Sequence, residues 1–300
     1  MERITLAKEP ERFIERAIAR FVHENPANRR KADGGKYWDP PLTGFASGED
    51  PLFKRFKKII GRFHLTPEEI FEMTFGKKKT SKKLSVISWV LPASEAIRKS
   101  NRKQGQYPSK LWAHARDFGE QFNIKLRNHL VSLLNKKGYR AVAPMNSPFW
   151  KRLVSPRVGL ASNWSERHVA YACGLGAFGL SDGLITAKGK AIRLGSVVTD
   201  LPLEPSPKIY PHHHANCLYY LNGTCMACAG RCPANAITSK GHDKNKCAHY
   251  SHDVACRTKS AQYGVTITGC GLCQTGTPCE FEIPKLIRKK TYFLKEPRRL

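Results

Sequence analysis

"TCMACAGRCPANAI", residues 224–237, decides how the chain is read. Cys225, Cys228 and Cys232, with Pro233 directly behind, keep the last three thiols of the C-x2-C-x2-C-x3-C-P run that holds iron-sulfur clusters. In that run the fourth cysteine serves the other cluster of a pair. The place of the first cysteine is taken by Asn222. Iron in such sites prefers soft thiolate to an amide oxygen, so a substitute cysteine is expected nearby. Cys217 is the closer candidate, and Cys256, far downstream, is its competitor.

Further along, Cys247 stands in "KNKCAHY" and Cys270, Cys273 and Cys279 in "GCGLCQTGTPCE". With Cys217, Cys225, Cys228 and Cys232 they make eight thiols, enough for two [4Fe-4S] clusters. The crossing rule suggests Cys217, Cys225, Cys228 and Cys279 on one cluster and Cys232, Cys247, Cys270 and Cys273 on the other. All but one of the ten cysteines lie between 217 and 279, and in a reducing cytosol such a density points to metal rather than disulfides. Two CxxC pairs could also hold zinc, but the Cys-Pro ending and the surplus cysteines follow iron-sulfur spacing. Cys173, inside the apolar "YACGLG", reads as a small buried hydrophobe. The histidines 212–214 read as a solvated loop with imidazole ligation as the alternative.

Three hundred residues suggest two domains with ample material for one large core. No stretch has the apolar length of a membrane span, and the charged amphipathic N-terminus lacks a signal-peptide pattern, so a cytoplasmic protein with no membrane partner is expected. The formal charge is +27, with basic runs at 77–83, 98–103 and 288–300. Such runs suit a phosphate backbone or an acidic redox partner, or simply a solubilising surface.

Residues 10–22 carry a helical apolar face, and "TPEE" (66–69) combines an N-cap, a first-turn proline and a capping box. The intervening "GGKYWDPPLTGFASGEDP" reads as irregular and turn-rich. "LSVISWVLP" (84–92) has the pattern of a buried strand, and a long helix is expected over about 108–137. Strands at "YRAVAP", "GLIT" and "GSVVTD" and a helix near "SERHVAYACGLG" complete an alternation that argues for a three-layer α/β core. The expected organisation is an N-terminal helical and irregular arm over 1–83, an α/β domain over 84–206, and a cysteine-rich domain with a basic tail over 207–300.

The residues at this point resemble a known family, the epoxyqueuosine reductases and the related corrinoid reductive dehalogenases. The resemblance covers roughly 84–279. It rests on "ARDF" (115–118), on "SERHVAYACGLGAFG" leading to "LITAKGKAIRLGSVVTDLPLEP", and on "CMACAGRCPANAI", "KCAHY" and "GCGLCQ". It implies a nitroreductase-like, cobalamin-binding α/β domain beside a two-cluster bacterial ferredoxin-like module, with two [4Fe-4S] clusters passing electrons to a corrinoid or a bound substrate. It further implies a donor such as ferredoxin or flavodoxin, and tRNA or another polyanion as a candidate partner. Gly174, Gly176 and Gly179 would let a flat cofactor approach the backbone. Where the reductases carry an aspartate as proton donor this chain has Leu160, which cannot donate, so the acid must be sought among Glu166, His168, Tyr171 and Asp182. Leu180 and Ser181 replace a lysine and an asparagine usual in the family. Two other readings stand beside a reductase: an electron carrier without catalysis of its own, and a nucleic-acid-directed protein.

Overall fold

The computed structural model describes residues 4–77 and 83–291. Most of the basic runs at 77–83 and 288–300, and with them the expected basic tail, lie outside the described residues. Up to residue 200 the strands are β1 (Leu42–Ser47), β2 (Ser85–Pro92), β3 (Ala141–Val142), β4 (Arg152–Ser155), β5 (Gly159–Ser162), β6 (Gly176–Phe178), β7 (Leu184–Thr186) and β8 (Ile192–Thr199). The helices are α1 (Pro10–Glu24), α2 (Pro51–Ile59), α3 (Pro67–Phe75), α4 (Glu95–Arg102), α5 (Lys110–Lys136) and α6 (Glu166–Ala172).

β1, β2, β8 and β3, in that order, form one antiparallel sheet. Every residue of β2 is buried, as its continuous apolar run requires of a strand covered on both faces. Side chains alternate along a strand, so Ile87, Trp89 and Leu91 meet Ile14 and Ile18 of α1 and Phe122, Leu126 and Leu130 of α5. Val86 and Val90 point the other way, to Phe53 and Phe56 of α2, Ile70 and Phe71 of α3, and Val169 and Ala170 of α6. Each fully buried side chain of this size contributes about 2 kcal/mol of transfer free energy. The result is a mixed α/β fold with helices on both faces of the sheet.

The Thr66 capping box forms as expected, with the Glu69 carboxylate accepting from Thr66 N at 2.8 Å. One expectation fails. The "turn-rich" stretch after residue 34 contains β1, paired from Leu42↔Val90 to Ser47↔Ser85. Its weak intrinsic preference is overridden by a fully apolar partner strand, and Gly44 is needed because a Cβ there would lie 2.5 Å from the carbonyl oxygen of Cys173. "YRAVAP" supplies only the two-residue β3.

The cysteine-rich segment is built of short pieces: α7 (Leu218–Asn222), α8 (Ala227–Gly230), β9 (Ile237–Thr238) paired with β10 (Gly241–His242), α9 (Lys244–Ala248), a π-helical stretch His249–Val254, α10 (Ala255–Tyr263) and α11 (Lys285–Thr291). Among the described residues no helix is long and apolar enough to cross a membrane.

Candidate functional site

Asn222, standing where the motif lacks its first cysteine, is engaged elsewhere. Its exposed side-chain oxygen accepts from Thr224 N at 3.2 Å and Thr224 Oγ1 at 2.7 Å, closing the turn after α7. One α7 length earlier Cys217, 8 % exposed, sits at the N-cap of that helix and lines a small enclosed cavity with Cys225, Cys228 and Cys279. Cys256 lies away from it, its Sγ donating to Thr266 O at 3.4 Å.

The other four thiols, Cys232, Cys247, Cys270 and Cys273, line a second and much larger cavity of about 520 Å³. Burial pushes Cys273 up to about 12, and the neighbouring Cys270 and Cys247 push the same way. Cys270 is likewise pushed up to about 11, by burial and then by Cys247 and Cys232. Cys228 is raised by burial and by Cys279, Cys217 and Cys225. The eight cysteines therefore gather in two groups of four, and Cys228 and Cys273 bring the groups within each other's field. Thiols crowded in this way resist ionisation unless a cation shares their charge.

All ten cysteines are free. Among the described residues no three His, Cys, Asp or Glu side chains converge closely enough for a single ion. A tetrahedral zinc with Zn–S near ~2.3 Å needs its sulfurs roughly 3.8 Å apart, whereas a cube of iron and sulfide needs a wider cage. Cys173 is buried, with its thiol donating to Val86 O at 3.7 Å. His212, His213 and His214 line neither cavity; His214 stacks on Tyr220 with ring centroids 3.7 Å apart.

The four acid candidates separate cleanly. Glu166 opens α6 and lines the large cavity. Burial pushes its carboxyl up, against the pull of Arg127, whose Nε lies 3.7 Å away; neither carboxylate oxygen completes a hydrogen bond. Leu160 lines the same cavity from β5. His168 does not reach it: burial holds the ring far below its usual range, where it bonds Ser165 Oγ at 2.8 Å and packs edge-on against Phe56. Tyr171 packs on the α2 side of the core. Asp182, at φ +55°, acts through others, lying 3.3 Å from His242 Nδ1 and 3.6 Å from Lys244 Nζ. Burial disfavours charge on His242, yet contacts with Asp182 and Cys247 raise it to about 9.

The glycines expected to admit a flat cofactor serve the chain's own packing instead. A Cβ on Gly174 (φ +73°) would lie 2.6 Å from Pro207 O, and one on Gly176 2.6 Å from Ile185 O. Gly179 borders the small cavity, and none of the three borders the large one.

No protein-family model matches the chain, and no curated protein matches it. Similar solved structures are epoxyqueuosine reductases. The enzyme from Bacillus subtilis aligns at 17% identity and TM-score 0.47, covering 82% of this chain and 63% of that one. The enzyme from Streptococcus thermophilus aligns at 17% identity and TM-score 0.46, covering 80% and 62%. An epoxyqueuosine reductase with an epoxyqueuosine-modified tRNA-Tyr stem loop aligns at 18% identity and TM-score 0.45, covering 80% and 61%. The chain thus spans less than two thirds of the length of these reductases.

Several cavity residues were not singled out from the sequence. Trp112, Arg116, Glu120 and Arg127 line it from one stripe of α5, and their spacing of four, four and seven was a legible sign that polar groups share a buried face. Lys190, 3 % exposed, lines both cavities. Tyr250 and His252 reach the large cavity from the π-helical stretch, which no local pattern announces.

Proposed function

We propose that the chain is an iron-sulfur oxidoreductase of the epoxyqueuosine reductase-like kind, reducing a ligand held in the large cavity. The observation that carries this reading is the placement of two groups of four cysteines side by side, the second of them forming part of the cavity wall. Cys217, Cys225, Cys228 and Cys279 would hold one [4Fe-4S] cluster, and Cys232, Cys247, Cys270 and Cys273 the other. When bound, such all-thiolate clusters supply single electrons at low potential. The donor set fits them in number, in softness and in the buried ammonium of Lys190 that balances thiolate charge.

The chain's own part is to bind, orient and protonate. Glu166 keeps a proton on its carboxyl at a pH where exposed carboxyls have lost theirs, and it faces the ligand space, which makes it the proton donor in place of the Leu160 position. Glu120 holds Arg127 and Arg193 in position from across the same wall. A corrinoid does not fit as a fully enclosed group. The cavity volume is that of a drug-sized ligand, well short of a corrin ring with its nucleotide tail, and Gly174, Gly176 and Gly179 open onto the chain's own backbone rather than onto the cavity.

In this reading residues 84–206, joined by the 1–83 segment, form a nitroreductase-like three-layer domain, and 207–300 form a ferredoxin-like one. A ferredoxin or flavodoxin in the cytoplasm would be the donor. A pure electron carrier needs no such cavity. The net charge of +27 favours, as a second reading, a reductase directed to tRNA or another polyanion. Anaerobically purified protein is expected to carry about eight iron per chain, with two interacting paramagnetic centres on reduction. About one zinc and no iron would end the cluster reading.

A further inference from the structure

The walls of the large cavity carry Arg116, Arg127, Arg167, Arg193, Lys190 and Lys244 against only two carboxylates, Glu120 and Glu166. Most of this positive charge is already committed. Arg127 donates to Glu120 at 2.9 Å, Arg193 pairs with the same carboxylate, Arg167 donates to Asp182 O at 2.7 Å, and Lys244 lies 3.6 Å from Asp182. Arg116 is the exception, since its guanidinium donates to no acceptor among the described residues. Arg193 and then burial hold it down at about 9, and Arg152 adds to the repulsion. His252 feels Arg152 and Arg116 in turn. A half-buried guanidinium left facing like charges is costly unless an anion completes the set.

The second element is aromatic. Trp112 precedes Arg116 by one turn on the same face of α5, and a Cβ on Gly271 would lie 2.0 Å from its ring, so the indole rests on the loop between Cys270 and Cys273. Trp38, Trp150 and Trp164 complete a wall to which four of the five tryptophans contribute. Arg116 itself packs over Gly269, one residue before Cys270.

We propose that this cavity directly binds a planar aromatic anion, a carboxylate or a phosphate ester, with its oxyanion on Arg116 and its ring against the tryptophan wall. The ligand then lies beside the Cys232, Cys247, Cys270 and Cys273 group with no corrinoid between. This rests on reading the cavity as the reaction site, and not on the identity of the metal.

The test is equilibrium dialysis of the anaerobically purified full chain against phenyl phosphate, benzoate, inorganic phosphate and hydroxocobalamin. One equivalent of phenyl phosphate or benzoate is expected to bind, inorganic phosphate at least tenfold more weakly. Arg116→Met should weaken the aromatic anions at least tenfold and Arg116→Lys less. If Arg116→Met fails to fold, Trp150→Leu should weaken phenyl phosphate while leaving inorganic phosphate unchanged. Absence of saturable binding by both aromatic anions, unchanged affinity in the variants, or stoichiometric retention of hydroxocobalamin overturns the proposal. Iron-free protein that still binds phenyl phosphate would sink the cluster assignment while leaving this one standing.

Discussion

The carboxylate of Glu280, 2 % exposed, accepts both arms of the Arg102 guanidinium, from Nε at 3.1 Å and from Nη2 at 2.7 Å. Glu280 follows Cys279, and Arg102 ends α4, so this fork joins the cysteine-rich segment to the α/β core. The same carboxylate accepts from Gly276 N at 2.7 Å, and Lys190 N donates to Cys279 O at 2.9 Å. Glu280→Ala leaves these donors without their acceptor. Because Arg102 is itself 43% exposed it can rehydrate, which limits the expected loss to about 2 kcal/mol, read as a lowered urea midpoint at unchanged slope. A midpoint within error of the parent would show that the joint is held by other contacts.

Replacing Cys217 by Ala should remove about half of the iron, one cluster of two, because Cys217 shares the small cavity with Cys225, Cys228 and Cys279. Replacing Cys256 by Ala should leave the iron content intact. Its sulfur reaches only a carbonyl, at Thr266. The reverse pattern would reassign the thiol that stands in for Asn222.

The spacing of the cysteines made their grouping legible, because short loops between ligands leave few ways to gather them. Equally legible were β2, α5 and the Thr66 cap, where a strong local preference agrees with burial. What stayed hidden depends on distant partners. β1 becomes a strand only because β2 offers it a paired edge, and Arg116 becomes conspicuous only when the loop at Gly269 covers it. The glycines at 174 and 176 misled for a related reason: a glycine shows that something approaches closely, and here that something is the chain's own carbonyl groups.

Glu166 gives a pH signature of its own. Burial raises its folded-state value above that of the unfolded chain, so the folded protein binds more protons over the interval between the two. Stability therefore falls as pH rises from the ordinary carboxylate value near ~4.5 up through the raised one. Glu166→Gln, which cannot ionise, should flatten that part of the profile and be the more stable protein at neutral pH, while turnover drops on the order of 100-fold. Denaturation midpoints of the two proteins compared from pH 4 to 8 would decide it. Parallel profiles would mean that Glu166 is ionised in the folded state and holds no proton to give.

Lys190 is flanked by Cys279, Cys273 and Cys228, and these thiols raise its ammonium against the opposing effect of burial. It belongs to the wall of both cavities, so a single fixed positive charge acts on both cysteine groups. A cation there favours the more negative, reduced form of any cluster the cysteines hold. Screened at an effective dielectric of about 20, a unit charge a few ångströms away amounts to a few kcal/mol, part of which neighbouring dipoles and water cancel. Lys190→Met should accordingly move both midpoints to lower potential by on the order of 60 mV, the one-electron equivalent of about 1.4 kcal/mol, with the iron content kept. Lys190→Arg, retaining the charge, should move them far less. Redox titration followed by paramagnetic resonance reads both centres separately. A shift confined to one of them would place the ammonium beside that group alone, and midpoints unmoved in the Met variant would show that other cations set the local field.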